Sequence, residues 1–283
     1  MLKAADMSIP SQLKIQDCEK NFIIHINHSD LLYAKVIENF LQHHHEKISC
    51  MVAFPEYPKN RKFTLRTLLK ELRYLGTSLV LVGVMNLLRE AIAHYQRKNK
   101  SLKKISASFG IPFFVKDDVN GLEVMELIKQ HHIQYVLNLS SQLYQSNTLN
   151  QGVDFYNFHA GLLPDNKGRF PLFWSLLREQ NLHGATCHKI TDKIDAGEIL
   201  FQKILATQKE VETHGWGVFH LSKKYQQIIP EMLITAIHLI TEGKTLPAVT
   251  SSRPFYGKYP TLRNIMQYFY LSYRRKFYGA KAF

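Results

Sequence analysis

Between Asn157 and Gly197 the chain reads N-F-H-A-G-L-L-P-D-N-K-G-R-F-P and then, from His183, H-G-A-T-C-H-K-I-T-D-K-I-D-A-G. Asn157 and His159 close an apolar run, Val153 to Phe158, that predicts a β-strand. Residues i and i+2 of a strand share a side, so the amide and the imidazole face one pocket. A loop containing glycine and proline follows, as it does where a strand opens into a site. A second predicted strand, Ala185 to Ile190, delivers Asp195 on a tight Asp-Ala-Gly turn. Asn157, His159 and Asp195 together offer an N–H donor, a titratable ring and a carboxylate that orients or deprotonates. That set serves acyl transfer with no nucleophile of the protein's own.

Each residue alone says little. An Asn at a strand end is commonly a turn former, Asp-Ala-Gly is a common turn, and the chain holds 14 histidines. The three in one pocket point to chemistry. Acyl transfer to an amine builds negative charge on a carbonyl oxygen, and a donor such as the Asn157 amide is worth about 3 kcal/mol there. The attacking amine must be neutral, so Asp195 takes its proton, directly or through water, while also holding the His159 ring. His188 lies within a predicted strand and reads as a buried structural residue. The run His43–His45 and the pair His131–His132 fall at helix ends, where histidine complements the dipole. No H-E-x-x-H or cysteine cluster accompanies them, and no metal is expected.

The positioning elements alternate between strand and helix. Phe22 to Asn27 reads as a buried first strand, and Ser29 or Asp30 would cap the following helix, which runs to about His43. Ile48 to Phe54, Ile111 to Val115 and Tyr135 to Leu139 read as further strands. Asn120 and Glu123 resemble a capping box that starts a helix over Leu122–His132. Phe170-Pro171 begins another helix. Thr213 to Glu242 is a long helical stretch with Pro230 as a kink or break and Gly243 as terminator. This alternation predicts an α/β fold with a mainly parallel sheet. The first strand is not followed by G-x-G-x-x-G, so the dinucleotide fingerprint is absent.

The 283 residues suffice for one large domain or two small ones. Cys18, Cys50 and Cys187 are odd in number and scattered, which suits a reducing compartment. The N-terminal residues contain no apolar stretch of the secretory type, so a cytoplasmic protein is expected. The net charge of +13 is uneven: residues 56–104 hold 12 Lys/Arg against 3 Asp/Glu, and residues 251–283 hold 7 Lys/Arg and no acid. Leu65, Leu68, Leu69 and Leu72 share one helical face. Tyr74 to Leu88 carries no charge but falls short of the roughly 20 residues a membrane span needs. Residues 56–104 therefore read either as a basic helical insertion packed on the core or as helices lying on an anionic membrane surface.

The ordered set Asn157, His159, Leu162, Leu163, Pro164, Gly168, Pro171, Gly184, Thr186, His188, Asp195 and Gly197 resembles the 10-formyltetrahydrofolate-dependent formyltransferases. That family's pattern looks like N-x-H-x-S-L-L-P, a basic loop, a Pro-initiated helix, G-V-T-x-H and D-x-G. Gly161 departs from it, standing where many members carry serine. The resemblance implies a Rossmann-like formyltransferase domain over residues 1–250, with residues 56–104 as an insertion and 251–283 as a short basic C-terminal extension. It implies catalysis by Asn157, His159 and Asp195, with 10-formyltetrahydrofolate as co-substrate. The folate site would be lined by Ser141, Gln142, Leu143, Leu163 and Ile194. His188 also matches the pattern.

Members acting on methionyl-tRNA usually add a C-terminal barrel, for which the residues after Gly243 are too few, so tRNA is not the expected partner. Members acting on glycinamide ribonucleotide are usually more compact. The acceptor expected by this analogy is a small-molecule amine, an amino sugar linked to a nucleotide, used in surface polysaccharide synthesis. The alternatives are a methionyl-tRNA formyltransferase-like enzyme without the barrel and a catalytically idle module that binds RNA or membrane. A homodimer stays open, as does a peripheral place at the inner membrane face.

Overall fold

The computed structural model describes residues 21–27, 31–55, 101–248 and 254–278. The proposed caps Ser29 and Asp30, Cys18, and residues 56–100 with their leucine face and uncharged run lie outside the described residues.

Five parallel strands form the larger part of one sheet: β1 (Phe22–Asn27), β2 (Ile48–Phe54), β3 (Phe113–Val115), β4 (Tyr135–Leu139) and β5 (Asp154–His159). Two antiparallel strands, β7 (Leu182–Lys189) and β8 (Ile199–Thr207), extend it past β5, giving the order β3-β2-β1-β4-β5-β7-β8. The chain starts in the middle at β1, builds outward through β2 to β3, then returns to the other side of β1 with β4. A reversal of this kind opens a crevice at the carboxyl ends of the strands. Asn157 and His159 lie at the carboxyl end of β5. A separate two-residue parallel pair joins β6 (Lys167–Gly168) to β9 (Tyr256–Gly257).

Both faces of the parallel half are covered, as sheets of this kind require. Phe22, Ile24 and Ile26 of β1 join the larger core with α1 (Leu31–His44) and α7 (Val218–Glu242). Ile23 of β1 joins the smaller core on the opposite face, with Val52, Val136, Phe155 and the buried side of α3 (Leu122–Gln130). The remaining helices are α2 (Leu102–Ser108), α4 (Ser146–Leu149), α5 (Pro171–Leu177), α6 (Gln208–His214) and α8 (Leu262–Tyr278).

Several element boundaries differ from the sequence reading. Ile111 and Pro112 precede β3 instead of belonging to it. Helix α3 ends at Gln130, and its N-cap is Gly121, with no side-chain cap. Asn120 is otherwise engaged: its Oδ1 accepts from Gln145 N (2.8 Å) and Thr148 Oγ1 (2.9 Å), and its Nδ2 donates to Leu143 O (3.0 Å). It ties the loop after β4 to the start of α3. The long C-terminal helix begins at Val218, because α6 ends separately at Gly215. Pro230 does not break α7. Fully buried Ile229, Met232, Leu233 and Ala236 lie on either side of it, and their packing outweighs the lost backbone bond.

Helix α8 closes the described structure against α5 and α6. Ile265, Leu271 and Arg275 are buried, and Arg275 Nη2 donates to Leu176 O (2.8 Å). Trp174 Nε1 of α5 donates to Lys258 O (3.0 Å), and Tyr268 Oη accepts from Val218 N (2.9 Å).

Candidate active site

A row of polar side chains crosses the sheet in one register. His25 of β1 pairs with Asn138 of β4, Asn138 with Asn157 of β5, and Asn157 with His188 of β7. Residues opposite one another in a sheet point the same way. In an otherwise apolar interior these polar groups must satisfy one another, and they do so in sequence. Tyr144 Oη donates to Asn138 Oδ1 (3.1 Å), so His25 Nδ1, 2.7 Å from that hydroxyl, is the protonated nitrogen and donates to it. Asn138 Oδ1 also accepts from Ser140 N (3.1 Å) and Ser140 Oγ (2.7 Å). Asn138 Nδ2 donates to Asn157 Oδ1 (3.0 Å).

That last bond sets the orientation of Asn157. With its oxygen held by Asn138, Nδ2 points towards His188 Nε2, 3.4 Å away. His188 Nδ1 lies 3.0 Å from Lys189 O and donates to it, which leaves Nε2 to face Asn157 and Asp195. One Asn157 N–H is directed there. The second meets no protein acceptor among the described residues and is available to a ligand oxygen.

The carboxylate arrives on the turn after β7. Asp195 has φ +49°, a left-handed conformation that Asp tolerates better than most residues. Gly197 lets the turn close onto β7: a Cβ there would lie 1.8 Å from Lys189 O. Asp195 Oδ1 sits 3.5 Å from His188 Nε2 and 3.7 Å from His159 Nδ1, while Oδ2 accepts from Gly168 N (2.7 Å). Burial pushes the Asp195 pKa up. The His188 contact, the nearby His159 and the Gly168 N–H outweigh this and hold it below the ordinary carboxylate value. Asp195 is thus an anion at neutral pH.

His159 is buried and donates Nε2–H to Asn166 O (2.6 Å), which leaves Nδ1 facing Asp195. Burial lowers its pKa below the ordinary histidine value, against the opposing pull of Asp195 and the Asn166 carbonyl. The ring is therefore neutral at pH 7, with a lone pair beside a carboxylate. An amine bound at this point can pass a proton to either group.

The intervening loop is fixed from several sides. Thr186 Oγ1 donates to Gly161 O (2.7 Å) and accepts from Leu163 N (3.1 Å). Gln202 Nε2 donates to Leu163 O (2.8 Å), and Tyr225 Oη donates to Phe158 O (2.7 Å). The departure at Gly161 has a local cause. A Cβ there would lie 2.6 Å from Pro171 Cβ and 3.0 Å from His159 Nε2. A serine would displace the ring that Asn166 holds.

The structure brings Asn157, His159 and Asp195 together, with His188 between Asn157 and Asp195. His188 is buried, as its place in a strand led us to expect, and its Nε2 faces Asn157 and Asp195. Among the residues read as folate-lining, Leu143 is 65% exposed and Ile194 is 41% exposed. Leu143 precedes Tyr144 of the polar row in the chain, and Ile194 precedes Asp195. Ser141 N donates to Asn27 Oδ1 (3.1 Å). Leu163 is buried. Gln142 differs in kind: Nε2 donates to Pro55 O (2.8 Å) and Asp117 O (3.0 Å), and Oε1 accepts from Val119 N (3.0 Å). Both its donors are spent on holding loops together. Sequence reasoning passed over Asn138, Tyr144 as a hydrogen-bonding residue, and His25. The available signal was a lone polar residue inside each of the apolar strands FIIHIN and YVLNL. Among the described residues, no group of three or more His, Cys, Asp or Glu is placed to hold a metal ion.

The fold and sequence have known counterparts. Residues 134–237, from β4 into α7, match a family model described as formyl transferase. A sugar N-formyltransferase from Shewanella sp FDAARGOS_354 superposes with TM-score 0.54 at 15% identity, over 89% of this chain and 87% of that one. A 4-N formyltransferase from Francisella tularensis gives TM-score 0.52 at 17% identity, over 89% and 87%. A phosphoribosylglycinamide formyltransferase from Anaplasma phagocytophilum gives 0.51 at 16% identity, over 84% and 98%. The architecture is thus the Rossmann-like formyltransferase fold. The matched segment contains all four of Asn157, His159, His188 and Asp195, and over it the chain is similar to the formyl transferase family.

Proposed function

We propose that the chain transfers a formyl group from 10-formyltetrahydrofolate to the primary amine of an amino sugar. The observation that carries this reading is the Asn157–His188–Asp195–His159 arrangement at the carboxyl ends of the strands. It combines one unspent N–H donor with an anionic carboxylate, the neutral His159 ring and the His188 ring.

The residues fit such a co-substrate. Leu143 and Ile194, exposed and next in the chain to Tyr144 and Asp195, offer apolar surface to a flat ring system. When bound, the co-substrate supplies an activated formyl carbon. Asn157 Nδ2–H holds the carbonyl oxygen as it gains charge. Its geometry is set beforehand by Asn138, so little reorganisation accompanies the reaction. Asp195 and His159 receive the proton of the attacking amine and keep it near the site for the leaving nitrogen. Burial of both groups limits competition from water.

The amino-sugar acceptor is supported by a solved structure named as a sugar N-formyltransferase, whose match covers 89% of this chain and 87% of that one. We also read residues 1–250 as the catalytic domain, 251–283 as a basic extension, and the +9 segment 56–104 as a contact for an anionic membrane surface. The test is direct. Purified protein is given 10-formyltetrahydrofolate and, separately, nucleotide-linked amino sugars, free amino sugars, phosphoribosylglycinamide and methionyl-tRNA. Tetrahydrofolate release and the mass gain of one formyl group are followed. Formylation of a nucleotide-linked amino sugar alone is the expected result. Formylation of the tRNA or the glycinamide, or of nothing, would replace this reading.

A further inference from the structure

The loop after β5 carries two backbone groups that hold the site. Asn166 O accepts from His159 Nε2 (2.6 Å), and two residues later Gly168 N donates to Asp195 Oδ2 (2.7 Å). The residues flanking Gly168 are bonded to a distant part of the chain. Lys167 N donates to Phe255 O (2.9 Å), and Arg169 N donates to Gly257 O (2.9 Å). These bonds belong to the parallel β6–β9 pair, with Lys167 opposite Tyr256 and Gly168 opposite Gly257. With the N–H groups of both neighbours committed to β9, the Gly168 N–H lies on the other edge of the loop, where it meets Asp195. The two backbones are in close approach. Gly168 has φ +83°, a conformation suited to glycine, and a Cβ there would run into Gly257 O. Gly257 is buried, and a Cβ on it would lie 2.6 Å from Trp174 Nε1 and 2.7 Å from Arg169 O. The seat is closed by side chains: Trp174 Nε1 donates to Lys258 O (3.0 Å), and Arg169 Nη1 donates to Tyr259 Oη (2.7 Å).

We propose that residues 255–259 are a positioning strap for the catalytic centre, in which Gly257 sets where the 166–169 loop presents Gly168 N to Asp195 and Asn166 O to His159. This role rests on the reading of Asp195 and His159 as the groups that handle the proton of the amine. The segment read as a basic extension thereby reaches into the site. Three groups face the Asp195 carboxylate: the Gly168 N–H, His188 Nε2 at 3.5 Å and His159 Nδ1 at 3.7 Å. Of these the Gly168 N–H makes the short bond, and hydrogen bonds weaken steeply as they lengthen or bend. A shifted strap would move the loop, weaken that bond and raise the carboxyl pKa, since donors to the charged form favour it. The same shift would move Asn166 O, which fixes the proton of His159 on Nε2 and leaves Nδ1 facing Asp195. Gly257 and Trp174 act on the site through Gly168, so they are positioning residues.

The experiment uses Gly257→Ala in the full chain, with formyl transfer followed across pH. The Asp195 carboxyl is titrated by carbon-13 NMR on the same protein, its signal assigned with Asp195→Asn. In Gly257→Ala, kcat should fall by about tenfold with KM nearly constant. The working form of Asp195 is the anion, which is lost as pH falls through its pKa. A raised pKa therefore moves the acidic limb of the kcat profile to higher pH, and the carboxyl signal should titrate at higher pH as well. Trp174→Phe removes the donor to Lys258 O and keeps an aromatic ring. It should give the same shifts at smaller size, and it carries the test if Gly257→Ala does not fold. Gly243→Ala is the control for stability alone. Gly243 ends α7 at φ +62°, and among the described residues an added Cβ there meets nothing within 4 Å. It should lower the melting temperature and leave kcat and the pH profile unchanged. Wild-type kcat and an unmoved carboxyl titration in folded Gly257→Ala and Trp174→Phe would overturn the strap, as would the same pH shift in Gly243→Ala. If wild type transfers no formyl group, the titration decides without it: a carboxyl moved by Gly257→Ala upholds the strap, and an unmoved one removes it.

Discussion

Strand β7 carries two buried histidines, His183 near its start and His188 near its end, with opposite standing in the molecule. His183 is fully satisfied by side chains: Nδ1 lies 2.9 Å from Ser175 Oγ and Nε2 lies 3.0 Å from Gln208 Oε1. It fastens β7 to α5 and to the start of α6. His188 spends one nitrogen on a backbone carbonyl and turns the other towards Asn157 and Asp195. Burial alone does not separate a structural histidine from a functional one. The separation lies in hydrogen-bonding capacity left over and aimed at other functional groups.

The largest effect expected from this contrast is at Asp195. Asp195→Asn removes the anion but keeps the bond from Gly168, and turnover should fall by about 1,000-fold with the melting temperature nearly unchanged. A loss below tenfold would reduce Asp195 to a turn residue. At the other end of β7, His183→Phe should do the reverse. Two buried partners lose their hydrogen bonds, at a cost of about 1–3 kcal/mol in denaturant unfolding, while turnover per folded molecule stays near wild type. A large loss of turnover in correctly folded His183→Phe would erase the distinction between the two histidines.

His25 sharpens it in another way. Burial lowers its pKa from 6.5 to about 3, and its Nε2 has no partner. Between these values the unfolded chain binds a proton that the folded chain refuses. Stability therefore falls as pH drops below about 6.5, by at most about 1.4 kcal/mol per pH unit from this group. His159 and His183, also lowered by burial, act in the same direction. Urea unfolding of His25→Phe between pH 7 and pH 5 should show a shallower pH dependence than wild type, and an equal slope would show that His25 does not report on it. The smallest expected effect is at Asn138. Asn138→Leu frees the Asn157 amide to rotate, so kcat should fall by about tenfold with KM nearly constant, as for a residue that acts through another. A KM effect alone would assign Asn138 to binding instead.

The strands Phe22–Asn27, Ile48–Phe54 and Tyr135–Leu139 were legible because they are short apolar runs between turn residues. Asn157, His159 and Asp195 were legible because motif and spacing set them apart. His188 was harder, since a histidine within a strand looks the same whether its second nitrogen faces a carbonyl or a carboxylate. Asn138 and His25 were not legible as partners of the site: their relation to Asn157 is one of register across three strands, which no local pattern encodes. Gly161 stood out as a departure, but its reason, the approach of Pro171 and His159, exists only in the folded loop. The antiparallel pairing of β7 with β5 also depends on how the 160–181 segment returns the chain, not on the composition of β7.

The central claim is that Asn157 stabilises charge on a formyl oxygen in an acyl transfer the protein carries out without a nucleophile of its own. The most direct measurement is single-turnover formylation of a nucleotide-linked amino sugar by wild type and Asn157→Ala, with folate affinity measured on the same samples. The account predicts a fall in rate on the order of 100-fold or more, with folate binding little changed. A variant that keeps near-wild-type turnover, or one that loses folate binding in proportion to its rate, would contradict it.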